Sequence, residues 1–236
     1  VALGRPLIAD PFFVQKIADG KVSEICKCIL CNQGCTEYPL IKKTTLMCTV
    51  NPQVGREADQ PVSKAGRHRE VMIIGGGPAG MYAAVTAAKR GHRVTLLEKA
   101  SYLGGNLSAA SGVFFKKEIE ELKKYLITEV ERNSIRMELG QEADSSIIKK
   151  FHPEVLILAT GAVPAMPMIP GIERKNVTNV VDVLSGRYDT GGKVIVVGGG
   201  MMGCEAAVFL KGRGRDVVLV DIHGLDKLGL GMESRL

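Results

Sequence analysis

Tryptophan is absent from the sequence, and tyrosine and phenylalanine together make up only 5% of its 236 residues. Long apolar runs are also missing: none approaches the roughly 20 residues that a membrane-spanning helix requires, and no signal peptide is recognisable. The net charge is +6, but lysine and arginine are spread along the chain without a basic block or interleaved aromatic residues. We therefore expect an α/β protein with neither a nucleic-acid nor a membrane partner.

The stretch Val71–Glu98 has the pattern of an apolar strand, a glycine turn, a helix and a second strand that ends in an acid. Gly75, Gly77 and Gly80 provide the G-x-G-x-x-G spacing. In such a turn the first glycine permits the tight bend, the second lets a pyrophosphate approach the backbone, and the third lets the helix pack closely on the strand. Glu98 follows where a carboxylate can accept ribose hydroxyl protons. The stretch predicts a dinucleotide site, and the alternative is a glycine-rich turn without a ligand.

A second copy of this pattern, Val194–Asp221, begins 123 residues later and is identical at 12 of the 28 aligned positions. Its fingerprint glycines are Gly198, Gly200 and Gly203. Two copies predict two dinucleotide sites of similar build. An aspartate at the end of the second strand accepts a hydrogen bond from the adenosine 2′-hydroxyl and repels a 2′-phosphate, which favours NADH over NADPH.

Five of the six cysteines lie between residues 25 and 51. The spacing of Cys28, Cys31, Cys35 and Cys48 places three thiolates in one tight loop and a fourth after a return, which suits a 4Fe-4S cluster. A structural zinc ion is the second interpretation, although zinc sites more often contain two C-x2-C pairs. Disulfides are the third. The role of Cys26 stays open. Clustered thiols indicate a reducing compartment, and we expect a cytoplasmic protein.

The segments GRPLIADP, CILCNQGC and CTVNPQVGRE, followed by the first glycine turn, resemble the C-terminal half of one flavoenzyme group. This group is the iron–sulfur flavoprotein branch of the old yellow enzyme family, which includes 2,4-dienoyl-CoA reductase, 2-enoate reductase and trimethylamine dehydrogenase. The resemblance implies an N-terminal TIM barrel that carries FMN, most of it preceding Val1. It also implies that Arg5, at the end of a short strand, holds the FMN phosphate. The four spaced cysteines match the 4Fe-4S ligands of this group.

The implied fold is α/β, with two Rossmann-like dinucleotide-binding units preceded by the end of the barrel and an iron–sulfur loop. The expected boundaries are 1–25 for the barrel end, 26–55 for the cluster loop, 56–69 for a connector, 70–188 for the FAD domain and 189–236 for the start of the NAD domain. The predicted FAD contacts are Gly75, Gly77, Pro78, Ala79, Gly80, Glu98, Lys99, Gly105, Asn106, Leu107, Thr160 and Gly161. The predicted NADH contacts are Gly198, Gly200, Met202, Gly203, Glu205 and Asp221.

Glu205 matches the acid that follows the glycines in many NADH-binding flavoprotein domains, but its carboxylate could instead cap helix N–H groups. A dithiol mechanism is disfavoured, because Asn106-Leu107 offers no thiol and Cys204 has no C-x-x-C partner. A separate amphipathic helix is predicted over Lys116–Asn133, and a buried strand over Val155–Leu158.

The resemblance implies an NADH-dependent enzyme in which electrons pass from NADH through FAD and a 4Fe-4S cluster to FMN and reduce an activated C=C bond. Its partners would be an enoate or enoyl-CoA-type small molecule and the remainder of the same enzyme, and a homo-oligomer is left open. No catalytic acid or base is assigned, because those residues would lie in the barrel. One alternative is an electron-transfer adaptor similar to the small subunit of glutamate synthase. Another is an amine dehydrogenase whose second site holds only ADP.

Overall fold

The computed structural model describes residues 2–59 and 61–229, which divide into two compact units. The first unit contains the described parts of Val1–Leu107 and Glu118–Gly161, and the second those of Ser108–Lys117 and Ala162–Leu236. The functional boundaries expected from the sequence stay predictions. In the ranges just given, no helix combines the length and hydrophobicity needed to cross a bilayer.

The first unit begins with short helical segments. These are α1 (Arg5–Ala9), α2 (Phe13–Ala18), a 3-10 turn (Val22–Glu24), a π-helical turn (Gln33–Glu37) and α3 (Tyr38–Leu40). The strand expected to end at Gly4-Arg5 is wrong for the described residues 2–4, which are irregular, and Arg5 instead starts a helix. Pro6 occupies the first turn of that helix, where its fixed φ is favourable and its missing N–H has no cost.

A four-stranded parallel sheet forms the centre of the first unit, with the strand order β3-β2-β1-β4. Its strands are β1 (Glu70–Ile74), β2 (Arg93–Glu98), β3 (Arg136–Leu139) and β4 (Val155–Leu158). The accompanying helices are α4 (Pro78–Lys89), α6 (Lys117–Arg132) and α7 (Ser145–Phe151), while α5 (Asn106–Ser111) begins in the first unit and continues into residues of the second. Ile73 lies opposite Leu96 and Ile157, and Ile73 and Leu96 are fully buried because helices cover the sheet. The predicted α/β class, the helix over Lys116–Asn133 and the strand over Val155–Leu158 are confirmed. The predicted burial of that strand is wrong, because Leu156 and Leu158 are exposed.

The second unit contains α8 (Val180–Leu184), β5 (Lys193–Val197), α9 (Met201–Gly212), β6 (Asp216–Val220) and a 3-10 turn (Leu225–Lys227). The two strands are parallel, and Val194 lies opposite Val217. A core that includes Val113, Leu184 and Phe209 packs within this unit. The order β5-α9-β6 repeats that of β1-α4-β2, as the duplicated sequence pattern predicts.

A buried carboxylate fastens the cysteine-containing segment to the N-terminal helices. The side chain of Asp10 is only 3% exposed and lies 2.6 Å from the ammonium of Lys16. Its two oxygens also accept hydrogen bonds from the backbone N–H groups of Cys26, at 2.9 Å, and Phe12, at 3.1 Å. Lys16 donates a second hydrogen bond to the Glu24 carbonyl oxygen. The start of the cysteine loop is therefore positioned by one fully partnered ion pair.

We expect Asp10→Ala to loosen this connection, because it leaves the Lys16 ammonium and two N–H groups without their acceptor. Losing one partner of a buried ion pair costs about 3 kcal/mol, so hydrogen exchange at the Cys26 amide should accelerate about a hundredfold. The matched control is Asp19→Ala, whose ion pair with Lys21 is exposed and therefore contributes little to stability. Equal exchange rates in the two variants would contradict the tethering role of Asp10.

Candidate functional site

The first glycine turn has the geometry that its spacing predicts. Gly75 has a φ of +111°, and a Cβ atom at this position would overlap the Ala159 carbonyl group. A Cβ atom at Gly80 would overlap the carbonyl oxygen of Gly75. Both positions therefore require glycine for close backbone packing at the point where β1 turns into α4.

Gly77 differs from these two glycines because the space beside it is open. It is the N-cap of α4, it has no side-chain cap, and its backbone is extended, with φ −75° and ψ −178°. The nearest atom to a Cβ placed there is the Cα of Gly105, at 4.0 Å. Pro78 and Ala79, the next two helical residues, are exposed. The N–H groups at the start of α4 therefore face a space that a pyrophosphate can enter.

The carboxylate of Glu98, at the end of β2, is hydrogen-bonded to this turn. One oxygen accepts the N–H of Gly76 at 2.6 Å, and the other accepts the N–H of Ala100 at 2.8 Å. A carboxylate oxygen can accept about two hydrogen bonds, so each oxygen retains one acceptor position. Two positions thus stay available for the two hydroxyl groups of a ribose.

The other residues predicted to contact FAD occupy the neighbouring loops. The N–H of Gly104 donates to the Gly76 carbonyl at 2.9 Å, which brings the following Gly105 close to Gly77. Asn106 and Leu107 begin α5, while Thr160 and Gly161 follow β4. Lys99, Thr160 and Gly161 are exposed. The carboxyl ends of adjacent parallel strands are where open α/β sheets bind ligands, and these residues lie at those ends.

The second glycine turn repeats the first. Gly198 has a φ of +103°, and a Cβ atom at Gly203 would overlap the Gly198 carbonyl oxygen. Gly200 is the N-cap of α9 and has nothing within 4 Å of a Cβ position. Met202, in the first turn of α9, is exposed. This turn therefore also offers free helix N–H groups and open space to a phosphate.

Asp221, at the end of β6, occupies the place that Glu98 has in the first unit. Its Oδ2 atom accepts the N–H of Gly199 at 2.5 Å, and its Oδ1 atom accepts the N–H of His223 at 2.7 Å. The Nδ1 atom of His223 lies 2.8 Å from the same Oδ1 atom. These hydrogen bonds, first that from Gly199, hold the pKa of Asp221 below its usual range. The contact with the His223 imidazole was not predicted from the sequence.

Glu205 has a partner that its position in the sequence does not indicate. Its carboxylate lies 2.5 Å from the ammonium of Lys116, and both side chains are largely buried, with 18% and 31% exposed. The two residues are 89 positions apart (205 minus 116), so no local pattern connects them. The sequence offered two interpretations of Glu205, as a nucleotide contact or as a helix cap. The structure adds a third, an ion pair that fixes the carboxylate.

A separate candidate site lies in the N-terminal segment of the first unit. The four spaced cysteines, Cys28, Cys31, Cys35 and Cys48, all border one cavity, together with Arg5 and Asn32. The guanidinium of Arg5 donates a 2.5 Å hydrogen bond to the Asn32 side-chain oxygen. Arg5, predicted to contact the FMN phosphate, thus also contacts the cysteine loop.

The backbone of the cysteine loop is shaped to direct its thiols into this cavity. Asn32 has a left-handed φ of +54°, and a Cβ atom at Gly34 would overlap the Met47 carbonyl. The N–H of Met47 donates to the Gly34 carbonyl at 3.0 Å, which brings the two arms of the loop together. This contact closes the twelve-residue interval between the third and fourth cysteines.

Several of these sulfur atoms have N–H donors nearby. The N–H of Leu30 donates to the Sγ of Cys28 at 3.4 Å. Burial raises the pKa of the Cys48 thiol, while the N–H groups of Val50 and Asn51 partly oppose this effect by favouring the thiolate. Hydrogen bonds to cysteine sulfur are a typical means of stabilising iron–sulfur clusters. The donor set therefore fits a thiolate-bound cluster.

A single metal ion is the alternative to a cluster at these thiols. Within residues 2–59 and 61–229, no three Cys, His, Asp or Glu side chains converge closely enough to hold one metal ion. A tetrahedral zinc ion with bonds of about 2.3 Å would require sulfur atoms only about 3.8 Å apart. Among the described residues the thiols therefore do not form an assembled single-ion site.

Cys26, whose role the sequence left open, belongs to the hydrophobic core of the first unit. Its side chain is 5% exposed and packs with core residues such as Leu126 and Val130. Burial, with a smaller contribution from Asp10, raises the pKa of its thiol to about 12. Its Sγ donates weakly to the Val50 carbonyl oxygen at 3.6 Å. This thiol behaves as a buried apolar group.

Two strand–turn–helix–strand units, each ending in a hydrogen-bonded acid, define a protein of the two-dinucleotide flavoprotein class. The family described as pyridine nucleotide-disulphide oxidoreductase matches residues 69–228, and the chain belongs to this family. The match indicates binding of FAD and NAD(H).

The chain is also similar to longer proteins. It is 42% identical to an NADH oxidase of Thermoanaerobacter brockii, over 99% of this chain and 36% of that protein. It is 40% identical to a cinnamate reductase of Clostridium sporogenes, over 94% of this chain and 33% of that protein. A solved 2-naphthoyl-CoA reductase in complex with 2-naphthoyl-CoA matches with a TM-score of 0.86 and 36% identity, over 91% of this chain and 33% of that one. The chain thus spans about a third of the length of these relatives.

These matches confirm the resemblance stated from the sequence. The chain corresponds to the FAD- and NAD-binding part of a flavoprotein of the old yellow enzyme family. The two-unit α/β fold predicted from the duplicated glycine pattern is confirmed as well.

Proposed function

We propose that this chain is the electron-entry part of an NADH-dependent flavin and iron–sulfur oxidoreductase that reduces an activated C=C bond. The observation that carries the proposal is the presence, in one chain, of two open glycine turns and a cavity bordered by four cysteines. The printed names of the relatives, cinnamate reductase and 2-naphthoyl-CoA reductase, support an enoate or acyl-CoA substrate.

The first turn is proposed to hold FAD and the second NADH. At the first turn, the N–H groups at the start of α4 would bind the pyrophosphate, and Glu98 would accept the ribose hydroxyl groups. At the second turn, α9 and Asp221 would play the same parts. When bound, a flavin accepts a hydride and can release electrons one at a time. The ion pair of Lys116 and Glu205 would keep two side chains of the second unit in fixed positions.

The four cysteines are proposed to hold a 4Fe-4S cluster. The thiols border one cavity, no single-ion site is assembled among the described residues, and N–H groups lie beside Cys28 and Cys48. Arg5 would contribute a positive charge to this cavity and, together with the barrel residues of the whole enzyme, would hold the FMN phosphate. The residues that protonate the substrate would belong to that barrel.

Anaerobic purification of the full-length enzyme tests this proposal directly. We expect FAD, FMN, iron and acid-labile sulfide in the purified protein, and rapid bleaching of the flavin absorbance by NADH but not by NADPH. Zinc in place of iron and sulfide would contradict the cluster. Tightly bound ADP without bleaching by NADH would instead favour the amine dehydrogenase alternative.

A further inference from the structure

The internal duplication allows the two acids to be compared residue by residue. Glu98 aligns with Asp221, and Ala100 aligns with His223, each pair being 123 residues apart. The backbone contacts are conserved between the units: the turn glycine donates to one carboxylate oxygen, and the second residue after the acid donates to the other. The difference is that the aligned alanine is replaced by an imidazole.

This imidazole changes how many hydrogen bonds the acid can accept from a ligand. The Oδ1 atom of Asp221 contacts both the backbone N–H and the Nδ1 atom of His223, at 2.7 and 2.8 Å. Its Oδ2 atom already accepts from Gly199. With about two acceptor positions on each oxygen, one position is left at Asp221, against two at Glu98.

We propose that His223 is a specificity-determining residue of the second dinucleotide site. By its contacts with the Asp221 carboxylate it weakens the exclusion of a 2′-phosphate, and it makes the preference for NADH over NADPH depend on pH. This inference rests on the proposed binding of NADH at this site.

The charge of the pair supplies the physical reason. A lone Asp221 carboxylate repels the dianionic 2′-phosphate of NADPH. When His223 is protonated, the pair has no net charge, and the outward Nε2–H can donate to a phosphate oxygen. The described titratable side chains of this segment include Asp221, which contacts the imidazole, and Asp226, whose carboxylate lies beside Gly224. The glycine turn that contacts Asp221 also receives a hydrogen bond from the Cys204 thiol, at the Gly199 carbonyl oxygen. Repulsion of NADPH should therefore be weaker with the imidazole protonated, at low pH, than with it neutral.

The test uses full-length enzyme and the unreactive probes ADP-ribose and 2′-phospho-ADP-ribose. Their dissociation constants are measured by calorimetry at pH 6, 7 and 8.5, alongside kcat/KM for NADH and NADPH. For His223→Ala, which recreates the arrangement of the first unit, we expect the preference for the unphosphorylated nucleotide at pH 6 to rise about tenfold. The imidazole is 54% exposed, so the variant should fold normally.

His223→Asn separates the effect of the hydrogen bond to Asp221 from the effect of the imidazole charge, because the amide can still donate to Asp221 but carries no charge. We expect its preference to change with pH only as far as the 2′-phosphate itself titrates, near pH 6. The control, His152→Asn, changes an exposed histidine at the C-cap of α7 and should match the wild type. If both His223 variants bind ADP-ribose normally and keep a preference for it over 2′-phospho-ADP-ribose within twofold of wild type, the role of His223 is overturned. The proposed nucleotide site would then still stand. Failure of the wild type to bind ADP-ribose would overturn the proposed nucleotide site as well.

Discussion

Cys48→Ser in the full-length enzyme should remove most of the iron and acid-labile sulfide and reduce NADH-driven substrate reduction at least about a hundredfold. The reason is that Cys48 borders the same cavity as the other three spaced cysteines and already has two N–H donors beside its sulfur. A serine hydroxyl would be a much poorer iron ligand. We expect NADH still to bleach the flavin absorbance, because the substitution changes neither glycine turn.

The matched control for this prediction is Cys26→Ala. Cys26 is a neighbouring thiol of the same segment, but it packs in the hydrophobic core and lies outside the lining of the cavity. We expect normal iron and sulfide content and a loss of stability of about 1 kcal/mol. Loss of iron in this control, or normal iron in Cys48→Ser, would contradict the assignment of the ligands. Iron and sulfide analysis and electron paramagnetic resonance of the reduced protein provide the measurements.

Gly77→Val should strongly weaken FAD binding without unfolding the protein, and Gly200→Val should strongly weaken NADH binding while FAD stays bound. Both glycines have extended backbones that valine adopts without strain, and neither has an atom within less than 4 Å of a Cβ position. The added methyl groups would occupy the space through which a pyrophosphate approaches the helix N–H groups. We expect at least a tenfold loss of about 1.4 kcal/mol or more at each affected site.

The two valine variants serve as controls for each other. Flavin content after gel filtration reports on the first turn, and the rate of flavin bleaching at increasing NADH concentration reports on the second. Circular dichroism and thermal unfolding should match the wild type in both. A Gly77→Val protein with a full complement of FAD, or a Gly200→Val protein with an unchanged response to NADH, would show that the assigned nucleotides are wrong.

The features predicted correctly from the sequence depend on local chemistry. Glycine spacing predicted the turns at Gly75 and Gly198, because the positive φ of both positions favours glycine. At Gly75 a Cβ atom would in addition overlap the Ala159 carbonyl group. Apolar spacing predicted α6, whose buried residues include Leu122, Leu126 and Val130. The strand predicted before Arg5 was wrong for the described residues 2–4, and Pro6 favours the helical turn found there instead.

The contacts that the sequence did not predict join residues that are far apart in the chain. Glu129 lies on α6 and is buried, which is rare for a glutamate. Its charge is compensated there by a 2.6 Å ion pair with Lys89, 40 residues away. The contact of Arg5 with Asn32 depends in the same way on the path of the intervening chain. Such pairs become visible only when the tertiary fold brings their partners together.

The two glycine turns have similar backbone geometry, so the turns by themselves do not determine which nucleotide binds at which site. Both offer a helix N-terminus and an acid to the part that FAD and NADH have in common, their adenosine diphosphate. Sorting must therefore depend on the groups around the flavin and the nicotinamide, at the opposite ends of the two molecules. Free ADP, which lacks either ring, should accordingly compete with NADH as a simple dead-end inhibitor.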